Sequence, residues 1–331
     1  MIEILKYNQN MKNDWDLFVS KSFNGTIFQK RQFLSYHVNR KFDDCSLLFK
    51  KRGKIIAIIP AATVKYKNKK TLSSHPGASF GGIVHNNISF DDCDKVVELL
   101  ELFCKENSYD DIFMVQTPSI YNKHHQNELV DYVMKINAYD NNEYYISNVL
   151  NIENNIQNQI LKIVKNKKRT VSYYNGLLKK YNITFKWVDC FDEFYPILVK
   201  NKKKHNSEPT HSLDELEILK SRFPDDILQL MLYTNKRPIA GMTIFKANNK
   251  GAILFYSMFD YEYNKMQPIP HLMHYILDWA KNSGLAFIDY GVSHLPQASN
   301  PLAPSRSLIK FKEEFGCFGV VRNAYRKKIN D

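Results

Sequence analysis

Three apolar runs crowd into the second half of the chain, at residues 227–233, 239–246 and 252–259. Each has the length of a strand and is rich in aliphatic and aromatic residues. The polar links between them are short: Asn235 and Lys236 in the first case, residues 248–250 in the second. A parallel crossover takes a dozen or more residues, so neither link can hold one. The three runs must therefore form an antiparallel meander. A helix over 270–281 follows, with Leu272, Tyr275, Ile276 and Trp279 on one face and Gly284 as its stop. A strand over 287–290 comes next. A Pro-rich loop, 294–304, leads to a short helix and a last strand near 320–325.

The first half has similar parts. A strand at 2–7 precedes a helix at 13–21 and a second helix at 30–40 that opens with GTIFQKRQF. A hairpin turns at Arg52 and Gly53. The longest apolar run, 55–64, is interrupted by Pro60 and reads as one buried strand, far short of the roughly 20 residues of a membrane span. Residues 73–84 (SSHPGASFGGIV) read as a loop. An amphipathic helix at 91–106 carries Val96, Leu99, Leu100 and Phe103 on one face, and strands follow at 109–116 and 144–149. The second half opens with a helix striped by Ile156, Ile160, Ile163 and Val164. A second helix runs to about residue 181, then come a strand at 183–188 and a helix at 191–204. SLDEL is a capping box, with Ser212 at the N-cap and Glu215 three residues on. The order strand, helices, hairpins, helix, strand thus recurs. It suggests a pseudo-repeat of one α+β unit, and 331 residues suit two domains, 1–150 and 151–331.

Net charge is +12. The excess clusters at 162–180, at NKKKH (201–205) and at 306–328. Such a balance points to an acidic partner: nucleic acid, a nucleotide-linked substrate or an anionic membrane face. The five cysteines form no C-x-x-C pair, which argues against a disulfide framework or a structural zinc site. No histidine pattern with metal-ligand spacing occurs, so no metal is expected; His271 and His274, three apart on a helix, read as packing or surface residues. Neither phosphate-loop pattern is present, nor a G-x-S-x-G elbow. Cys317 and His294 do not read as a nucleophilic pair. The N-terminus has no signal-peptide pattern, so a cytoplasmic protein is expected.

Several stretches carry a family resemblance. FIDYG (287–291) and LIKFKEEFG (308–316), together with GTIFQKRQF, the span from Arg169 to Gly176, and PIPHLMHYILDWAKNSGLAFIDYG, resemble the FemABX family. These are aminoacyl transferases of peptidoglycan cross-bridges and relatives with a doubled N-acetyltransferase (GNAT) fold. The long helical arm of the cross-bridge enzymes has no counterpart here, and KKKHNSEPTHSLDEL looks more like the relatives from surface-polysaccharide loci. The resemblance implies two tandem GNAT-like domains, each a mixed, mostly antiparallel sheet flanked by helices, the second carrying the transfer site. It implies acyl or aminoacyl transfer to an amine, or a hydroxyl, of a cell-envelope glycan or its nucleotide- or lipid-linked precursor. The cross-bridge reaction from aminoacyl-tRNA is one alternative. A non-catalytic, basic nucleic-acid-binding protein is the other, and it rests on charge alone.

Phe311 and Lys312 match the family's F-K pair, whose lysine lies next to the transfer site. Aminolysis of an ester or thioester builds negative charge on the carbonyl oxygen, which a nearby fixed cation stabilises. The attacking ammonium must also lose a proton; Asp289 and His205 are the candidate acceptors. Arg169, Lys202 and Lys204 suit phosphate oxygens. Tyr173 suits stacking on a ring. Ser293, Asn300 and Ser305, in or beside the Pro-rich loop, suit contacts to a sugar. The turn before the 270–281 helix, YEYNKMQPIPH, lacks the glycines with which GNAT enzymes usually cradle the CoA pyrophosphate. No bound cofactor is expected. The donor stays open among acyl-CoA, an acyl carrier protein and aminoacyl-tRNA, and the basic surface leaves room for peripheral contact with the inner membrane face.

Overall fold

The computed structural model describes residues 1–66, 69–204, 206–295, 300 and 302–329. The chain forms two compact units. One holds Met1–Ile146, His294–Ala303 and Val320–Asp331; the other holds Ser147–Ser293 and Pro304–Gly319. Division by chain order at residue 150 sends the last strand with the second half, whereas contacts send residues 320–331 with the first unit.

In the second unit the meander forms as its short links require. Ile227–Thr234, Arg237–Lys246 and Gly251–Phe259 pair antiparallel in chain order, and Ile183–Val188 extends the sheet beside the first of them. Asn235 and Lys236 both take positive φ, as a two-residue hairpin turn demands. Phe287–Val292 lies parallel to Gly251–Phe259, and the 147–151 part of the Asp140–Asn151 strand pairs antiparallel with it. Helix Pro268–Asn282 lays Leu272, Met273, Ile276, Leu277 and Ala280 against this sheet, onto Ala240, Met242, Ile244 and Ile288. Gly284, at φ +69, ends it. The Ser212 capping box forms, with Glu215 N–H donating to Ser212 Oγ and Ser212 N–H donating to Glu215 Oε2.

The first unit has a four-stranded antiparallel sheet, Ile2–Lys6, Leu47–Lys51, Lys54–Ile59 and Val84–His85. It also contains Asp43–Asp44, Ala61–Tyr66, Lys69–Ser74 and Asp111–Val115, with the end of Phe318–Lys328 antiparallel to the last of these. Helices Phe90–Glu106 and Leu129–Ile136 cover its core, around Val96, Leu100, Val133 and Met134.

Three local expectations change. The 55–64 run is two strands that join different sheets, because Pro60 cannot donate to a ladder. The 30–40 helix shrinks to Arg31–Leu34. Before it, Thr26 and Gln29 form their own capping box around Ile27–Gln29, and Gln29 Nε2 donates to Thr117 Oγ1 (2.8 Å), so tertiary hydrogen bonds replace helix. Lys69–Ser74 is a strand that takes in the first residues of the expected 73–84 loop.

Candidate active site

The parallel strands of the second unit pair over a short stretch only: Gly251↔Phe287, Ala252↔Ile288 and Ile253↔Asp289. Beyond that register the Gly251–Phe259 strand continues without pairing to its parallel neighbour. The closed end depends on a glycine: a Cβ on Gly251 would sit 2.2 Å from Cζ of Phe287. The open end follows two irregularities. A register break between Thr243 and Ile244 bends the meander. Another, between Asp289 and Val292, takes Tyr290 and Gly291 out of the ladder. Gly291 has φ +76, a conformation in which other residues are strained.

Polar side chains hold that strand end. Asp289 is buried; its Oδ1 accepts from the Gly291 N–H (2.7 Å) and its Oδ2 from Ser147 Oγ (3.3 Å). Lys312 comes from the last turn of helix Arg306–Glu313 and is only 5% exposed. Its Nζ donates to Gly291 O (2.8 Å), Val292 O (3.3 Å) and Ser293 Oγ (2.8 Å). Ser293 Oγ donates in turn to Asn148 Oδ1 (2.6 Å). An ammonium has three N–H bonds, and these acceptors match them one for one. Lys312 therefore ties the helix to the strand end and fixes a positive charge there. Cys317 lies within reach of both charges, yet burial pushes its thiol up to about 12, so it is no thiolate at neutral pH.

The structure thus brings Lys312, Asp289 and Ser293 together, with Ser305 joined through its N–H to Ser293 O (2.9 Å). Phe311, next to Lys312, packs edge-on to Phe315 under the Lys167 ammonium. Lys202 and Lys204 form a separate group on helix Tyr195–Lys204. Lys204 Nζ lies 3.5 Å from the centre of the Tyr261 ring, and half-buried Lys202, its pKa lowered by desolvation, lies near Tyr256. Arg169 is exposed and stacks over Tyr173. Asn300 belongs to the first unit, where its Oδ1 accepts from Leu302 N–H. His205 lies outside the described residues. Sequence reasoning missed Ser147 and Asn148. They sit some 140 residues before their partners, in an ordinary strand, and no local signal marks them.

Comparison with known proteins agrees with this geometry. Residues 167–296 match the family model of the acetyltransferase (GNAT) domain. The chain is similar in structure to FemX, with a TM-score of 0.72 at 10% identity over 99% of this chain and 98% of that one. It is also similar to the C-terminal domain of a candidate lysylphosphatidylglycerol synthetase from Agrobacterium fabrum, with a TM-score of 0.59 at 10% identity over 96% and 92%. A third is a tandem GNAT protein from the clavulanic acid biosynthesis pathway, with a TM-score of 0.50 at 6% identity over 100% and 99%. No curated protein matches the sequence.

GNAT domains use acyl-CoA as co-substrate, and its pyrophosphate would meet the start of the helix that follows the meander. Its N-cap, Gln267, is left-handed, and Pro268 and Pro270 occupy the first and third helical positions. Neither proline has an N–H to offer an anion. The usual backbone cradle does not fit this turn. The strand geometry and the matched domain nevertheless agree: residues 167–296 match the acetyltransferase (GNAT) domain model, and the chain has a doubled fold like those of FemX and the tandem GNAT protein.

Proposed function

We propose that this chain transfers an acyl or aminoacyl group to an amine, or a hydroxyl, of a cell-envelope glycan or of its nucleotide- or lipid-linked precursor. One observation carries the reading: two parallel strands part beside a buried, fixed cation. The Gly251–Phe259 strand runs on past Ile253 outside that ladder, and main-chain groups of such an edge can hydrogen-bond an extended donor arm. In the reaction a neutral amine attacks the carbonyl carbon. The new C–N bond forms, the C–O bond of the ester or the C–S bond of the thioester breaks, and the amine proton ends on the departing alcohol or thiol. Lys312 supplies positive charge where the carbonyl oxygen becomes negative. Asp289 keeps the strand end, and with it that charge, in place.

The two prolines at the helix start favour a donor held elsewhere than at a CoA pyrophosphate cradle, such as an aminoacyl-tRNA or an acyl carrier. The FemABX resemblance and the likeness to FemX favour an envelope acceptor. No described helix is long and apolar enough to cross a membrane, so contact with a lipid-linked acceptor would be peripheral. The nucleic-acid reading is weaker, because parts of the basic excess are paired internally: Lys162 with Glu153 (2.8 Å), Lys167 with Glu314 (2.7 Å) and Lys200 with Asp260 (3.0 Å).

The test is mass spectrometry of the surface glycan and peptidoglycan from a deletion strain, against wild type and a complement carrying Lys312→Met. Loss of one fixed acyl or aminoacyl mass in both defective strains is the expected result, and it identifies polymer and group together. Unchanged polymers in the deletion strain would overturn the proposal.

A further inference from the structure

Helices Ile156–Asn166, Val171–Lys180 and Pro268–Asn282 of the second unit enclose a cavity of about 250 Å³. Its walls are apolar, with Ile160, Val164 and Leu178 on one side and the rings of Tyr174, Phe185 and Tyr275 on the other. Phe185 and Tyr275 are stacked, with centroids 4.5 Å apart. Two imidazoles, His271 and His274, also line it, and the Nε2 atom of each is buried without a hydrogen-bond partner. Tyr174 stands edge-on to both, at 5.5 and 5.0 Å. The His271 side chain is 3% exposed. Its Nε2 thus meets the cavity as a polar atom that no protein group satisfies, a donor or an acceptor according to the tautomer. Burial lowers both histidines to about 4, so both rings are neutral at physiological pH. The mouth carries exposed Gln157, Asn175 and Asp278.

A buried polar atom without a partner costs about 1–3 kcal/mol, and native proteins rarely leave two side by side. We propose that this cavity is a ligand site for a compact, uncharged, ring-bearing molecule whose hydroxyl hydrogen-bonds to His271 Nε2. The site is independent of the transfer reading. Size follows from volume: at roughly 30 Å³ for each water-sized group, the cavity holds about eight non-hydrogen atoms. Stacked and edge-on aromatic walls suit a planar ring. Asp278 at the mouth disfavours an anion.

The probe is phenol, which has the ring, the donor and the size. Benzene lacks the donor, and benzoate carries a negative charge. Titration calorimetry of the full chain should show saturable phenol binding, with benzene about tenfold weaker and benzoate weaker still. Imidazole nitrogen spectra should show the His271 Nε2 resonance moving with phenol and not with benzene. Leu178→Trp, at the half-buried edge, should fill the cavity and abolish binding while leaving the thermal midpoint nearly unchanged. His271→Phe should erase the preference for phenol over benzene. The proposal is overturned if phenol does not saturate, if benzene binds equally well, or if Leu178→Trp leaves phenol binding intact.

Discussion

Two buried polar groupings of the second unit make opposite use of the same physics. At the strand end, every donor of Lys312 meets an acceptor, and both Asp289 oxygens are engaged. Between the helices, His271 and His274 keep an unpartnered nitrogen each. Low-dielectric surroundings strengthen a satisfied network and penalise an unsatisfied one. The first grouping therefore holds backbone in place, with Gly291 out of the ladder. The second leaves two polar atoms that no protein group satisfies. Satisfaction separates a clamp from a binding site more sharply than charge or burial does, since both groupings are buried.

That contrast can be broken by substitution. Lys312→Met should cost about 2–3 kcal/mol in denaturant unfolding, because it strands the Gly291 and Val292 carbonyls and takes a partner from the Ser293 hydroxyl. A loss under about 1 kcal/mol would mean the clamp is not structural. Next comes acid. His271 and His274 titrate near 4 when folded and near 6.5 when unfolded, so above about 6.5 both states are neutral and stability is full. As pH falls from there toward 4, the unfolded chain binds protons that the native one refuses. Stability then drops by about 1.4 kcal/mol per pH unit for each histidine. His75 and His85, also near 4, act alike in the first unit. The double substitution His271→Gln with His274→Gln should remove about half of that slope; an unchanged slope would place the acid sensitivity elsewhere.

Asp289→Asn keeps the shape and an acceptor for the Gly291 N–H. About 1–2 kcal/mol should be lost, since a neutral amide makes weaker bonds than a carboxylate. The smallest effect sharpens the comparison from outside both groupings. Ser212→Ala removes a helix cap and should cost about 1 kcal/mol with no change in transfer or in phenol binding. Chemical denaturation alongside both assays checks it.

Much of the scaffold was legible because its causes are local. Asn235 and Lys236 force a hairpin, Ser212 and Glu215 cap a helix, and Gly284 stops one. Helix Leu129–Ile136 and the shrinkage of the 30–40 helix were not legible. The first has no cap signal, and in the second Gln29 takes partners 52 and 88 residues away. Within the site, FIDYG and FKEEFG marked Asp289 and Lys312, and the polar loop marked Ser293, while Ser147 and Asn148 came from strand positions with no motif of their own.

Strand lengths, short links and turn residues in the sequence determined the meander, the helix after it and the α+β class, since each depends on neighbours a few residues apart. Only the tertiary structure decided that Lys312 is saturated and His271 is not. Whether a buried polar atom has a partner depends on chain segments brought together from far apart, and no residue carries that information alone.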